Sequence, residues 1–137
     1  MYLTAVIDWF SRFVLSWRIS NTLDAGFCLE AVEEAFTKHG KPQVFNTDQG
    51  CQYTSKEFVS LIVGNNIKFS MDGKGRALDN VFIERFWRSI KQEYVYIFVP
   101  ESGLDLHKGV EKYLGFYNFK RKHQSIEDQT PSQLFLN

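Results

Sequence analysis

Residues 42–71 read PQVFNTDQGCQYTSKEFVSLIVGNNIKFSM. Pro42 to Asp48 form a short strand that runs into a polar loop, QGCQYTS. Ser55 stands where a helix N-cap belongs, and Glu57, Phe58, Leu61 and Ile62 follow with helical spacing. Gly64-Asn65-Asn66 stops that helix, and IKFSM (67–71) returns as a strand.

Upstream, YLTAVID (2–8) and RFVLSWRIS (12–20) alternate with a period of two about a turn at WFSR, which predicts an antiparallel hairpin. Phe13, Leu15, Trp17 and Ile19 share one face of its second strand. Residues 24–39 carry Phe27, Leu29, Ala31, Val32, Ala35 and Phe36 three or four apart, a helix that Asn21, Thr22 or Asp24 can cap and that His39-Gly40 and Pro42 end. Downstream, DGKGR (72–76) reads as a loop. Asp79 or Asn80 can cap a long helix reaching about Tyr96, and Pro100 to Gly103 break it. A second long helix covers about Leu104 to Lys120, and the tail forms a loop and a short helix with Pro131 in its first turn. Strands alternate with helices after the hairpin, so residues 1–137 read as one α/β domain, a mixed sheet covered by helices.

Composition narrows the function classes. Lysine plus arginine total 16 and aspartate plus glutamate total 16, which excludes a generally basic coat but not a local basic face. An apolar content of 44% argues against disorder throughout. Cys28 and Cys51 form no Cys-x-x-Cys pair, so a disulfide framework or zinc site is not expected. No apolar run approaches the roughly 18 residues that span a bilayer, and no signal peptide opens the chain, which makes the cytoplasm the expected compartment.

Two acids stand out. Asp48 ends a strand, the position where α/β sheets place ligands and catalytic groups, although a turn before Gly50 would also use an aspartate. Glu84 lies on the long helix. At 100° per residue, Asn80, Lys91 and Arg88 fall within about 40° of it, while Ile83, Trp87, Ile90 and Tyr94 fall about 60–120° to one side. Glu84 therefore heads a polar face beside the apolar stripe. The plain alternative is a Glu84–Arg88 surface pair worth about 0.3–0.5 kcal/mol. Two converging carboxylates would make a hard-oxygen site for magnesium or manganese, ions that serve phosphoryl transfer.

TAVIDWFSR, NTDQGCQYTS, GKGRALDNVFIERFWRSIKQE and FYNFKRKHQSIEDQTPSQLF occur in this order along essentially the whole chain. Together they resemble the catalytic core of insertion-sequence transposases, the second-frame protein of the group that shares a D-D-E integrase core with retroviral integrases. The resemblance implies a ribonuclease-H-like fold, three acids holding two divalent metals (Mg2+ or Mn2+), and DNA cleavage and strand transfer by in-line attack. Carried across by motif, Asp48 is the second acid and Glu84 the third, with 35 residues between them. The family's first strand and first acid precede the segment matched by Tyr2–Asp8, so the chain as given is expected to lack them. Asp8 matches a separate D-x-x-S-R position, where capping the Ser11-Arg12 turn is the expected role. The expectations that follow are a chain inactive in isolation, marginal stability, and pairing through an open sheet edge.

The partner implied is DNA, at element ends and target, met in a bacterial cytoplasm at the nucleoid. A homo-oligomer or a full-length transposase is the expected protein partner, and no membrane is involved. Residues 74–91 hold five cations against two acids. Lys74, Arg76, Asn80, Arg88, Lys91, Arg121 and Lys122 are the candidate DNA contacts. Asn46, Thr47, Gln49 and Gln52 flank Asp48 and could orient it. Lys122 replaces the proline usual in the family's tail motif, and His123 is expected to hold structure by a hydrogen bond. Phe86 and Trp87 are expected in the core. The alternative to a catalytic core is a non-catalytic DNA-binding or transposase-interaction module.

Overall fold

Phe58 and Ile62, one helical turn apart, are wholly out of water, and one set of contacts grows around them. The computed structural model describes residues 2–21, 26–47, 56–71, 81–123 and 126–135. Internal contacts divide the chain into two units, Met1–Val6 with Leu15–Val81 and Ile7–Val14 with Phe82–Asn137.

In the first unit, strands β1 (Tyr2–Ile7) and β2 (Val14–Ser20) pair with each other. The short connection between them cannot carry a parallel crossover, so the pair is the expected hairpin. Helix α1 (Gly26–His39) buries Phe27, Cys28, Ala31, Val32 and Ala35 along one stripe. It ends at Gly40, whose left-handed backbone (φ 85°) lets its N–H reach the Phe36 carbonyl at 3.0 Å. Strand β3 (Val44–Thr47) lies parallel to β4 (Lys68–Met71), with Val44 opposite Lys68 and Thr47 opposite Met71. Helix α2 (Lys56–Gly64) connects them and supplies Phe58 and Ile62. The left-handed residue that closes α2 is Asn66 (φ 59°), and the Asn65 amide also donates to the Leu61 carbonyl at 2.6 Å. Val6 of β1 and Phe45 of β3 pack on the same cluster as α1 and α2.

Among the described residues the mixed character read from the sequence is present as two two-stranded sheets, one hairpin and one parallel pair. One face differs from expectation. The buried side chains of β2 are Val14 and Ser16, whereas Leu15, Trp17 and Ile19 are only half-buried. The Ser16 hydroxyl donates to the Ala31 carbonyl. A small hydroxyl thus lets α1 approach the strand, and the bond removes the cost of burying it.

In the second unit, helix α3 (Val81–Ile90) continues through a π-helical turn (Lys91–Val95) into a last α-helical turn (Tyr96–Phe98). Helix α4 (Gly103–Phe119) is capped by Ser102, whose hydroxyl accepts from the Asp105 N–H at 3.1 Å. Helix α5 (Pro131–Phe135) opens on a reciprocal cap. The Thr130 hydroxyl accepts from the Gln133 N–H at 3.3 Å, and the Gln133 side chain accepts from the Thr130 N–H at 2.8 Å. Phe86, Ile90, Val110, Leu114, Tyr117 and Ile126 are buried here. Phe13 stacks on Phe135 at 4.6 Å and meets Phe119 edge-on. The buried Asn118 side chain accepts from the Val14 N–H at 2.9 Å and donates to the Val14 carbonyl at 3.0 Å, completing that residue as a neighbouring strand would.

Tyr94 lies flat against α4 because residue 109 has no side chain. A Cβ there would sit 1.7 Å from the Tyr94 hydroxyl oxygen. Gly109→Ala should therefore lower stability by about 1–2 kcal/mol, overpacking exceeding the helix-propensity gain. Denaturant unfolding of a double-mutant cycle with Tyr94→Ala should show strong coupling. A Gly109→Ala chain as stable as the parent would mean that Tyr94 swings aside freely.

Candidate functional site

Glu84, Arg88 and Lys91 all project into solvent from α3 and its π-helical continuation. Their exposure follows from what the other side of the helix must bury: Phe86 is wholly covered, Ile90 nearly so, and Ile83 and Trp87 are half-buried. Phe86 and Trp87 pack on each other at 5.0 Å, and Phe86 meets the Tyr117 ring edge-on at 5.1 Å. The Glu84–Arg88 pair that the spacing offers is not formed, and among the described residues none of Glu84, Arg88 and Lys91 has an ion-pair partner. Among the described residues, the face offers one carboxylate and two cations outside any ion pair.

Asp48, Lys74, Arg76 and Asn80 lie outside the described residues, as do Gln49, Cys51 and Gln52. Thr47, the residue before Asp48, is the last of β3, so the described backbone leads to the carboxyl end of a parallel strand. Among the described residues no three His, Cys, Asp or Glu side chains gather as a metal site would require. The exposed Glu84 carboxylate is a hard oxygen donor free of ion pairs among those residues, which suits it as one ligand of a magnesium-like ion.

Asp8 does what its sequence position suggested. One carboxylate oxygen accepts from the Ser11 N–H at 3.0 Å and the Ser11 hydroxyl at 2.6 Å, and the Asp8 carbonyl accepts from the Arg12 N–H at 2.7 Å. These bonds hold Arg12 in a left-handed conformation (φ 67°).

A second charged group was not legible in the sequence. Glu93, in the π-helical turn, accepts a fork from Arg121: Nε to Oε1 at 2.9 Å and Nη2 to Oε2 at 2.7 Å. The Tyr113 hydroxyl donates to Glu93 Oε1 at 3.0 Å. Bidentate arginine–carboxylate pairing is among the stronger charge-assisted contacts. Hydrogen bonds from Arg121 hold the Glu93 carboxyl below its ordinary range, and the same bonds raise Arg121. Burial and the Glu93 charge raise the Tyr113 hydroxyl, and burial pushes Tyr117 up to about 12. Arg121 lies 5.8 Å from the Tyr117 ring centre.

Arg121 leads into the turn that holds His123. The His123 N–H donates to the Gln129 carbonyl at 3.0 Å, its carbonyl accepts from Asp128 N–H at 2.9 Å, and its buried ring meets Tyr117 edge-on at 4.7 Å. The ring Nδ1 also lies 3.3 Å from Arg121 Nη1, within reach of the structural hydrogen bond expected of His123. Lys122 is exposed, between two residues locked in place. No helix of the described residues is long and apolar enough to cross a membrane.

Comparison with known proteins agrees with this architecture. A family model described as Integrase core domain matches residues 1–77, and a second with the same description matches residues 65–131. The chain belongs to the integrase core domain family. It is 31% identical over 134 residues to the "Putative transposase InsK for insertion sequence element IS150" of Escherichia coli, covering 96% of this chain and 47% of that protein. It is 31% identical over 134 residues to the transposase for insertion sequence element IS904 of Lactococcus lactis, covering 96% and 53%. The chain thus spans about half the length of the curated relatives it matches. Among solved structures it resembles the HTLV-2 integrase catalytic core domain in complex with magnesium (trimeric form), with a TM-score of 0.74 and 25% identity over 97% of this chain and 83% of that one. The BIV integrase catalytic core domain gives a TM-score of 0.77 at 15% identity, covering 98% and 84%, a likeness of fold.

A buried neutral imidazole and a half-buried, paired carboxylate predict acid sensitivity. Burial, aided by the Arg121 charge, lowers His123 from 6.5 to about 4. The unfolded chain takes up this proton first, so the stability given by the neutral ring is complete above about pH 6.5 and is lost between about 6.5 and 4. Glu93 acts lower: its contribution is present at neutral pH and is lost as pH falls through its depressed value. Denaturant unfolding should show a His123-dependent loss of up to about 3 kcal/mol across the upper window. His123→Gln should flatten that slope, and an unchanged slope would assign the sensitivity to other groups.

Proposed function

We propose that this chain forms part of the catalytic core of an insertion-sequence DNA transposase, an enzyme that cuts and joins phosphodiesters at element ends and target DNA. One observation carries the reading: the exposed face of Glu84, Arg88 and Lys91, uncommitted to ion pairs within the described residues, on a chain of the integrase core family. A metal-ligating acid must not be tied up in a structural pair, and a phosphate-binding cation must be able to meet solvent.

Asp48 and Glu84 would hold Mg2+ or Mn2+, which when bound supplies Lewis-acid stabilisation of the reacting phosphate oxygens. Arg88 and Lys91 would neutralise backbone phosphates beside Glu84, and Lys74, Arg76 and Asn80 are further candidate DNA contacts. Lys122 adds a contact from the turn. Arg121 acts through position: its fork is engaged by Glu93, so it serves DNA by fixing the turn that presents Lys122. The protein partner is a second copy or a longer transposase, and the place of action is the bacterial cytoplasm, on DNA. A non-catalytic DNA-binding module would use the same cations without the ion.

Two measurements separate these readings. Duplex binding should weaken steeply with salt, and Arg88→Ala with Lys91→Ala should lower the log–log salt slope by about two. An unaltered slope would remove DNA from this face. Iron(II) placed at the metal site with ascorbate and peroxide should cut the chain near both Asp48 and Glu84, with protection by excess Mg2+ and loss in Glu84→Gln. Cutting at neither residue would leave only the non-catalytic module.

A further inference from the structure

Two runs of consecutive large apolar side chains meet solvent among the described residues of the second unit. One, Tyr96 to Val99, closes the helix that begins as α3. The other, Trp9 and Phe10, is the tip of the β1–β2 turn, with Phe10 71% and Trp9 42% exposed. Arginine stands beside this second run. Arg12 Nη1 donates to the Phe10 carbonyl at 3.3 Å, which draws the half-buried guanidinium to the tip. Arg85, exposed in the second turn of α3, belongs to no ion pair among the described residues. Burial lowers Arg12 from its ordinary value, and the nearby Arg85 charge lowers it by more than Asp8 raises it. The Asp8 carboxylate is meanwhile engaged by Ser11. Two guanidinium groups held this near repel each other, and an anion placed between them would relieve that repulsion.

The frame beneath the tip is stiff. The Asp8 N–H donates to the Phe13 carbonyl at 2.9 Å, the Arg12 N–H to the Asp8 carbonyl at 2.7 Å, and the Phe13 N–H to the Ser11 hydroxyl at 3.1 Å. Trp9 and Phe10 stand outermost on this bonded turn, so a flat ligand laid on them immobilises little that was not already fixed.

We infer that the β1–β2 tip is a stacking site for an unpaired base of DNA, the base lying on the Phe10 ring and its phosphate meeting Arg12 and Arg85. Charge and shape select this occupant. An apolar protein surface would leave two guanidinium groups beside it without a partner, whereas a nucleotide offers a π-face to the ring and an anion to the arginines. A base inside a duplex has both faces covered by its neighbours, so only one that is unpaired can lie on a side chain. Arg85 directly follows Glu84 in α3, so a strand held at the tip runs beside the candidate metal ligand.

This inference rests on the DNA reading above and deepens it, and a blunt duplex serves as the control that separates the two. Fluorescence anisotropy should compare that duplex with the same duplex carrying a short single-stranded extension. The extension should raise affinity by about tenfold. Phe10→Ala should abolish the gain, leaving blunt-duplex binding and the circular dichroism spectrum unchanged because the ring already meets water. Phe10→Tyr should keep the gain, and an extension of abasic sugar-phosphate should lose it. Arg85→Ala should lower the salt slope of the extension's contribution by about 0.7. Equal affinity for the two duplexes, a gain that survives Phe10→Ala or abasic substitution, or an Arg85→Ala slope like the parent's would each overturn the inference while leaving the DNA reading in place. A chain that binds neither duplex would end both.

Discussion

Phe86 and Ile90 must leave water, and that requirement orients everything else on α3. A helix has one phase. Once Phe86 lies against Tyr117 and Ile90 is covered, Glu84, Arg88 and Lys91 have nowhere to go but outward. The direction of this exposed face is therefore fixed by the core and not by ion pairs among its own members. This is a good arrangement for a ligand-binding carboxylate. An acid held in place by a neighbouring cation would have to break that pair before meeting a metal or displacing water, whereas one held by its helix is already free.

The phase changes at Lys91. A π-helical turn makes its bond over five residues, as between the Tyr96 N–H and the Lys91 carbonyl, and so re-aims the residues within it. Steps of 100° from Glu84 would set Glu93 half a turn away, at about 180°, and Tyr94 back in the apolar stripe. In the structure both residues engage α4, Glu93 through Tyr113 and Tyr94 against Gly109. Glu93 also takes the Arg121 fork, so a single carboxylate joins the π turn, α4 and the start of the tail. The cations accordingly fall into two kinds. Arg121 is spent on structure, while Arg88, Lys91 and Lys122 meet solvent. Sequence neighbours such as Arg121 and Lys122 look alike until the partner across the fold is known.

What could be read from residues alone follows from range. The Asp8–Ser11 turn, the stops at Gly40 and Asn65-Asn66, Pro131 in the first turn of α5 and the burial of Phe86 are all decided within a few residues, and all were legible. The Glu93–Arg121 fork joins residues 28 apart, and Asn118 completes Val14 across 104, distances over which periodicity carries no signal. β2 misled for another reason. Its apolar residues 15, 17 and 19 alternate cleanly, yet Ser16 faces the helix because close approach of α1 needs a small side chain whose hydroxyl the Ala31 carbonyl can accept. Of the candidate acids, Glu84 was placed correctly on a polar face by helical geometry, whereas Asp48 rests on the family likeness and on the strand that leads to it.

The two surfaces of the Glu84 helix need not compete. Glu84 and the apolar residue Ile97 are thirteen positions apart, about 20 Å along a helix at 1.5 Å per residue. The first surface is charged and hydrated, suited to phosphates whose contacts weaken with salt. The second is apolar, suited to contacts that salt leaves alone or strengthens. The π turn lies between them, anchored through Glu93 to a residue 28 positions away. A partner covering the far end would leave the cationic face open, and a second copy of the chain, wherever it docks, would present that face twice. Bivalence raises affinity for a long duplex without any new contact, provided both tracks can reach it at once. On the reading proposed above, such repetition of a small basic face would give a chain of zero net charge a means of holding DNA.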